Sequence, residues 1–311
     1  MRIGIEIGGT KLQAAIGTAE GDIVHLVRAE SPAQEGAPAV RRRAANLVKE
    51  VCAKTPEPLE QVGIGFGGPV VRDTGCVIKS HQVGGWEGFG LREWAGKAFG
   101  LPAVVENDSN AAAVAEARRG AGRGRRRVFY MNVGSGIGGG LVLDGRLVTG
   151  PRFGGEIGHT HVWDAEAGRY DILESLCSGW SIARRARRCL ADHPDSRILA
   201  LAEGDPERVD AAVVGVALAE GDPLAVALMD EVCEALAVAL ANVAALVEPE
   251  VIAIGGGVAL MGEPFFQRLG RAFDRRAFAP LAGRCPIVPA ALGEESVVVG
   301  ALLLEAGDVG E

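Results

Sequence analysis

Residues 3–17 read IGIEIGGTKLQAAIG, and this stretch decides the fold. Apolar residues lead into Gly8-Gly9 and a second apolar run begins at Leu12, which predicts a β-hairpin with a glycine turn. Residues 128–145, VFYMNVGSGIGGGLVLDG, repeat the order of strand, glycine turn and strand about 130 residues later. The repetition predicts two related α/β halves with a cleft between them.

The composition indicates a globular protein of 311 residues, long enough for two ordinary domains or one large one. The 32 basic and 40 acidic residues give a net charge of −8, which disfavours nucleic acid and anionic membranes as partners. No segment approaches the roughly 18 apolar residues of a transmembrane helix, and the N-terminal pattern is that of a strand rather than a signal peptide. Six scattered cysteines without a CxxC pattern suggest small buried side chains in a reducing cytoplasm. We therefore expect a cytoplasmic protein.

The remaining sequence alternates helix-like and strand-like patterns, which is typical of an α/β protein. Helices are predicted over residues 37–54, 91–99, 109–119, 179–191, 208–219, 223–247 and 297–305, and strands over residues 61–65, 102–106, 127–133, 141–143 and 251–254. No linker or low-complexity segment separates the two halves.

The glycine-rich turns are the first candidate binding elements. Residues 134–139 match G-x-G-x-x-G, but a strand pattern follows at 141–143 where a dinucleotide-binding motif requires a helix, so that function is rejected. The alternatives are a hairpin that binds nothing and a turn whose N–H groups face phosphate oxygens. Because there are two such turns and a third glycine cluster at 255–257, a nucleotide is favoured. Thr10 and Lys11 follow the first turn and suit a transferring phosphoryl group.

A second set of residues could act on a polyol substrate. Asn107 and Asp108 follow a predicted strand and precede a helix. Either residue could be a helix N-cap, and the Asp108 carboxylate could instead accept a proton from a substrate hydroxyl. Glu156 and His159, with the later Glu174, could hydrogen-bond several hydroxyl groups.

Together these residues resemble the ROK family of sugar kinases, which have a two-domain, actin-like (ribonuclease H-like) ATPase fold with a cleft between the domains. The resemblance covers nearly the whole chain and is carried by residues 5–11, 63–69, 106–112, 134–140, 156–159 and 254–258. It implies a small N-terminal α/β domain of residues 1–108, joined by a C-terminal helix 296–311, and a larger α/β domain of residues 109–295.

The resemblance also implies a reaction and roles for individual residues. The family transfers the γ-phosphoryl group of ATP, with Mg²⁺, to a sugar hydroxyl, commonly O6 of glucose or of an N-acetylhexosamine. Asp108 is then the general base. The sugar-binding residues are Gly68, Asn107, Asp108, Glu156, His159 and Glu174. The ATP-binding residues are Gly8, Gly9, Thr10, Lys11, Gly134, Ser135, Gly136, Gly255 and Gly256.

The leading hypothesis is therefore a homodimeric, glucokinase-like hexose kinase. A fructokinase, an N-acetylhexosamine kinase, and a sugar-binding regulatory protein with weak or no kinase activity are the alternatives. The sequence also departs from the family pattern. Position 6 is Glu, where most members have Asp and the fructokinase branch also has Glu, and the sequence leaves the effect on Mg²⁺ positioning open. Gln82 stands where many glucokinases have an Asn near the sugar. Residues 162–171 lack the cysteines that hold structural zinc in many members, so we expect no zinc site.

Overall fold

The structure is a computed structural model that describes residues 1–80, 82–150 and 154–305. The strands are β1 (Arg2–Ile7), β2 (Lys11–Gly17), β3 (Ile23–Glu30), β4 (Gln61–Phe66), β5 (Val70–Val71), β6 (Cys76–Val77), β7 (Ala103–Asn107), β8 (Arg127–Val133), β9 (Ile137–Leu143), β10 (Arg146–Val148), β11 (His161–Asp164), β12 (Arg169–Ile172), β13 (Val251–Gly255) and β14 (Ile287–Pro289). The helices are α1 (Ala37–Cys52), α2 (Leu91–Phe99), α3 (Asp108–Arg118), α4 (Leu173–Cys177), α5 (Gly179–Cys189), α6 (Arg197–Leu201), α7 (Ala211–Ala219), α8 (Pro223–Val247), α9 (Glu263–Arg276) and α10 (Ser296–Leu303). The α/β class predicted from the sequence is confirmed.

The chain divides into two compact units. The first contains residues 1–126, 140–155 and the segment from 292 onward, and the second contains residues 127–139 and 156–291. Helix α3, which follows the domain boundary predicted after residue 108, packs on α10 within the first unit. The predicted domain division itself stays a prediction. Helix α10 ends at Leu303, and residues 306–311 of the predicted C-terminal helix 296–311 lie outside the described residues.

The first unit is built on a five-stranded sheet with the order β3-β2-β1-β4-β7. The hairpin predicted from residues 3–17 is confirmed, with β1 and β2 antiparallel and Ile7 opposite Leu12. Strands β1, β4 and β7 run parallel, with Ile7 opposite Phe66 and Phe66 opposite Asn107. Parallel strands end at the same edge of a sheet, and ligands bind preferentially at such edges. The turns after Ile7 and Phe66 and the start of helix α3 after Asn107 therefore lie side by side.

Helices cover both faces of the central strands of this sheet. Helix α1 covers one face with apolar residues that include Val40 and Leu47. Helix α10 covers the strands on the other face, where Val298 and Leu302 are fully buried. Strands β1, β2, β4 and β7 are covered on both sides and are largely buried along their length. The edge strand β3 instead keeps exposed residues such as Val24 and Arg28.

The second sheet has the order β10-β9-β8-β13-β14, and its strands β8, β13 and β14 are parallel. The prediction of a loop over residues 134–140 and a strand from residue 141 is wrong, because β9 begins at Ile137. The glycines of this strand permit a close approach that other residues would prevent. A Cβ on Gly140 would lie 2.6 Å from the Cβ of Ala113 in α3.

Other differences between predicted and observed elements are local. Helix α7 begins at Ala211 rather than 208, because residues 206–208 form a separate 3₁₀ turn and Asp210 caps the helix by accepting a hydrogen bond from the Val213 N–H at 2.8 Å. Strand β3 was not predicted, although it pairs with β2 along most of its length. Among the described residues, no helix is long and apolar enough to cross a membrane.

All six cysteines lie in the described residues, and none forms a disulfide. Cys177, Cys233 and Cys285 are buried, as expected from the sequence, and burial raises the pKa of each thiol. Cys52, Cys76 and Cys189 are half-buried, so the expectation of burial is wrong for these three. They are the cysteines nearest the surface.

Candidate active site

Two backbone turns and the start of helix α3 meet at the edge of the first unit's sheet. Gly8 N–H donates to the carbonyl of Lys11 at 3.0 Å, which closes the β1–β2 turn, and Gly67 N–H donates to the carbonyl of Ile7 at 2.9 Å. A Cβ on Gly67 would lie 3.5 Å from the Cα of Gly8 and 3.5 Å from Oδ2 of Asp108. The predicted phosphate turn and the predicted catalytic carboxylate are therefore neighbours.

Asn107 is the N-cap of helix α3, which resolves the choice that the sequence left between Asn107 and Asp108. Its Oδ1 accepts hydrogen bonds from the N–H groups of Ser109 at 2.9 Å and Asn110 at 3.2 Å. Its Nδ2 donates to the carbonyl of Gly68 at 3.2 Å. Asp108 is consequently the first residue of the helix, and its Oδ1 accepts from the Ser109 N–H at 2.7 Å. This arrangement orients Asp108 with Oδ2 toward the glycine turn.

Glu6 is a second carboxyl group in the same region. Gln13 Nε2 donates to Glu6 Oε2 at 2.7 Å, and Lys11 Nζ lies 3.5 Å from Glu6 Oε1. Burial raises the pKa of Glu6 from its ordinary 4.5 to about 7, and the negative charge of Asp108 adds to this rise. Lys11 and Gln13 oppose the rise because they stabilise the ionised form. The carboxyl of Glu6 thus titrates near neutral pH.

Of the other residues at the first turn, Lys11 is hydrogen-bonded and Thr10 is exposed. Lys11 Nζ donates to the carbonyl of Glu294 at 3.2 Å, while the Thr10 side chain is exposed. The side chain of Gln82 lies over Gly9, so that a Cβ on Gly9 would come 1.6 Å from Gln82 Oε1. Gln82 was predicted near the sugar, and the structure places it against the predicted phosphate turn.

In the second unit, three predicted motifs meet at one residue, Ile137. The Ile137 N–H donates to Glu174 Oε2 at 2.7 Å. On the other side of the residue, a Cβ on Gly158 would lie 2.1 Å from the Ile137 carbonyl oxygen. Gly158 lies in a 3₁₀ turn in which the His159 N–H donates to the Glu156 carbonyl at 3.1 Å. The side chains of Glu156 and His159 are exposed and are available to a ligand.

The glycine loop before β9 is closed by backbone hydrogen bonds. Gly134 N–H donates to the carbonyl of Gly136 at 2.9 Å, and Ser135 between them is exposed. The Gly134 carbonyl accepts from the N–H of Gly179 at 2.7 Å, at the first residue of α5. The carboxylate of Glu174 occupies the space beside Gly136, where a Cβ would lie 2.6 Å from Oε2.

Sequence reasoning missed Asn132, which contacts both glycine turns of the second unit. A Cβ on Gly256 would lie 2.6 Å from Asn132 Oδ1, and a Cβ on Gly134 would lie 3.3 Å from Asn132 Nδ2. Gly256 also has φ +88°, which favours glycine. Gly255 precedes it and pairs directly with Asn132 across β13 and β8. The available signal was a polar side chain in an apolar strand, immediately before a glycine loop.

No group of three or more His, Cys, Asp or Glu side chains that could hold a metal is found in residues 1–80, 82–150 and 154–305. His159 and His161, the nitrogen candidates considered from the sequence, are both exposed. The expectation that no structural zinc is bound stays a prediction.

Known proteins resemble this chain over almost its entire length. A sequence profile of the ROK family matches residues 2–307. The glucokinase of Thermotoga maritima is 32% identical over 304 residues, which cover 96% of this chain and 95% of that protein. The N-acetylmannosamine kinase of Escherichia coli O157:H7 is 30% identical over 312 residues, which cover 98% of each. The crystal structure of a ROK family glucokinase from Streptomyces griseus, in complex with glucose and AMPPNP, matches with a TM-score of 0.83 at 30% identity over 97% of each chain. These similarities confirm the actin-like ATPase fold expected from the sequence.

Proposed function

This chain belongs to the ROK family, and on that premise we propose that it transfers the γ-phosphoryl group of ATP to a hexose hydroxyl, with O6 of glucose as the preferred acceptor. The observation that carries the proposal is the position of Asp108, whose Oδ2 faces the Gly67 turn beside Gly8. A carboxylate next to a glycine turn is what transfer from a nucleotide to an alcohol requires.

In the proposed reaction, Asp108 accepts the proton of the sugar hydroxyl as that oxygen attacks the γ-phosphorus. The new oxygen–phosphorus bond forms while the bond to the β-phosphate oxygen breaks, so ADP leaves with the bonding electron pair. General-base assistance of this kind is worth about 10²- to 10⁴-fold in rate. Asn107 and Gly68, whose side chain and carbonyl are already hydrogen-bonded to each other, would orient the sugar on the same turn.

The remaining predicted residues form two groups, one proposed to bind the nucleotide and one proposed to bind the sugar. The N–H groups around Gly8 and Gly9 and the side chains of Thr10 and Lys11 would contact the phosphates from the first unit. The proposed phosphate and adenosine contacts in the second unit are Gly134, Ser135, Gly136, Gly255 and Gly256. The proposed sugar contacts in that unit are Glu156, His159 and Glu174. Support for the second-unit contacts comes from Ile137, which the Glu174 carboxylate and the Gly158 turn contact from two sides.

Glu6 fits the Mg²⁺ that accompanies ATP. Its carboxyl lies near that of Asp108, as the influence of Asp108 on its pKa indicates, and carboxylate oxygens are the donors that Mg²⁺ prefers. Glu6 would hold the ion, which when bound would neutralise phosphate charge. The family resemblance implies Asp at this position in most relatives. Glu has a longer side chain but keeps the carboxylate oxygens that would bind Mg²⁺.

A second candidate substrate is an N-acetylhexosamine. The kinase from E. coli O157:H7 named for N-acetylmannosamine is nearly as similar to this chain as the T. maritima glucokinase. The family resemblance aligns Gln82 with an Asn of many glucokinases, and the Gln82 side chain lies against Gly9. A Gln82 side chain held against Gly9 would stay away from the proposed sugar position, which would suit an N-acetyl group.

The deciding experiment is a coupled ADP-release assay with glucose, mannose, fructose, N-acetylglucosamine and N-acetylmannosamine. We expect the highest kcat/KM with glucose and a product phosphorylated at O6, identified by NMR. A clear preference for an N-acetylhexosamine or fructose would replace glucose as the substrate. Sugar binding by calorimetry without ADP release from any sugar would identify a regulatory protein and contradict the kinase proposal.

We also propose that the protein is a cytoplasmic homodimer. The free thiols of all six cysteines are compatible with a reducing compartment, and the family resemblance implies the dimer. Light scattering coupled to gel filtration should give twice the mass of the 32.2 kDa chain. A mass of one chain at micromolar concentration would contradict the dimer.

A further inference from the structure

A buried ion pair lies directly behind the turn that carries Asp108. Arg72 follows the short strand β5, and its Nε lies 3.0 Å from Oε2 of Glu106, with only 8% and 5% of the two side chains exposed. Arg72 Nη1 donates to Thr149 Oγ1 at 2.8 Å, and its carbonyl accepts a hydrogen bond from Arg92. The guanidinium is therefore held on more than one side. All of these residues belong to the first unit.

The other oxygen of Glu106 accepts hydrogen bonds from residues on both sides of Asp108 in the sequence. Glu106 Oε1 accepts from the Asn107 N–H at 2.9 Å and from Asn110 Nδ2 at 3.0 Å. One donor belongs to the end of strand β7 and the other to the first turn of helix α3. A single carboxylate oxygen thus fixes the strand-to-helix junction at which Asp108 stands.

An ionised carboxylate is well suited to this task because it only accepts hydrogen bonds. Burial raises the pKa of Glu106, and Arg72 together with the donors from Asn107 and Asn110 opposes the rise. The Arg72–Glu106 contact is an ion pair that lacks the geometry of a hydrogen bond. Arg72 therefore stabilises the ionised Glu106 by its positive charge. Without that charge, a buried carboxylate is strongly disfavoured.

We propose that Arg72 is a positioning residue for phosphoryl transfer, which acts through Glu106 to hold Asn107 and Asp108 in their working orientation. This inference rests on the proposed function, because it assigns Asp108 the role of base. Arg72 itself does not take part in the chemistry. Its removal should misplace the base rather than remove it, and a misplacement of about 1 Å can cost on the order of 10² in rate.

The test compares Arg72→Met with Arg72→Lys, which restores the charge, and with Arg118→Met as a matched control. Arg118 lies on α3, the helix that begins with Asp108, and it is partly buried, but it donates to the carbonyls of Gly145 and Leu303. In Arg72→Met we expect kcat to fall by roughly 10- to 100-fold while KM for ATP changes by less than about twofold. Arg72→Lys should recover most of the loss, and Arg118→Met should keep the wild-type kcat.

A second readout does not depend on activity. Hydrogen exchange measured by NMR should become at least about tenfold faster at the amides of Asn107, Ser109 and Asn110 in Arg72→Met, and not in Arg118→Met. Unchanged exchange at these amides, or a wild-type kcat in folded Arg72→Met, would overturn the inference.

A double-mutant cycle separates action through Asp108 from an independent effect. In an Asp108→Asn background, adding Arg72→Met should lower the residual kcat by less than about twofold, because the base is already absent. A full, multiplicative loss would overturn the inference. If the wild-type protein phosphorylates no hexose, the proposed function fails, and the exchange measurement alone then decides whether Arg72 orders the turn.

Discussion

Oε2 of Glu174 accepts a hydrogen bond from the backbone N–H of Ile137 at 2.7 Å, which joins helix α4 to the start of strand β9. Glu174 was expected from the family resemblance to contact a sugar hydroxyl. The observed contact is with the backbone at the end of the Gly134–Gly136 glycine loop, and the carboxylate also lies beside Gly136. The proposed sugar contact and the proposed phosphate loop of the second unit therefore share Glu174.

Glu174→Ala should weaken the binding of nucleotide as well as sugar. The lost charge-assisted hydrogen bond is worth about 1.5–3 kcal/mol, so we expect a roughly tenfold or larger increase in the Kd of an ATP analogue measured without sugar. The exposed Glu166 nearby in the sequence provides a control, as Glu166→Ala should leave this Kd unchanged. An unaltered nucleotide Kd in Glu174→Ala would show that the carboxylate serves the sugar alone.

Asp108→Asn should cut kcat by about 10² to 10⁴ while the Kd of the sugar changes little. The amide cannot accept the hydroxyl proton, yet its oxygen can still accept the hydrogen bond from the Ser109 N–H. Steady-state kinetics and calorimetry measure the two effects separately. Asp192→Asn, at an exposed position, should behave as the wild type. Asp108 is not the base if the variant retains more than about half of the turnover.

Glu6 should make the stability of the ligand-free protein depend on pH. Because the pKa of Glu6 rises from 4.5 to about 7 on folding, the folded protein holds a proton that the unfolded chain releases. This stabilisation is fully present below pH 4.5 and is lost as the pH rises through 7. Its total size is roughly 3 kcal/mol, from about 1.4 kcal/mol per pKa unit.

The matching experiment measures the unfolding of wild type and Glu6→Gln across this pH range in Mg²⁺-free buffer. The variant has no carboxyl to titrate, so its stability relative to the wild type should increase between pH 4.5 and 7. Glu20→Gln, at an exposed position, serves as the control and should follow the wild type. Parallel stability curves for Glu6→Gln and wild type would show that Glu6 does not titrate in this range.

Gly300→Ala should destabilise the protein by about 1–3 kcal/mol through overpacking. A Cβ at this position in α10 would lie 1.9 Å from the backbone oxygen of Ala111, which cannot move without moving helix α3. Gly270→Ala is the matched control, since nothing lies within 4 Å of its Cβ position in helix α9. That change should instead stabilise by about 0.5–1 kcal/mol. Chemical denaturation measures both, and equal effects would refute the close packing of α10 on α3.

Purified protein should contain no stoichiometric zinc, and a chelator should not lower its melting temperature. The reason lies in residues 162–171, which contain no cysteine between His159 and Glu174, whereas a structural zinc site needs four good ligands. Elemental analysis checks this directly. About one tightly held zinc per chain would contradict the prediction and would direct attention to the exposed pair His159 and His161.

Much of the first unit could be predicted because its signals are local. The β1–β2 hairpin follows from apolar runs on either side of Gly8-Gly9, and the strand before Asp108 follows from a short apolar run before a helix start. Parallel pairing then brings the ends of such strands to one edge. The strand character of residues 137–140 was missed because glycine has a low strand propensity, and tertiary packing against Ala113 is what requires glycine at Gly140.

The sequence alone determined the α/β class, the glycine turns and the residue types of the candidate site, since turn chemistry and periodicity act within a few residues. Only the tertiary structure decided which distant groups meet. Arg72 and Glu106 form their buried ion pair because β5 and β7 approach each other in the first unit, and Glu174 reaches Ile137 because α4 packs beside the start of β9. The free energy of such contacts depends on burial and on exact distances, which arise when the sheets and helices assemble and leave no periodic signal in the chain.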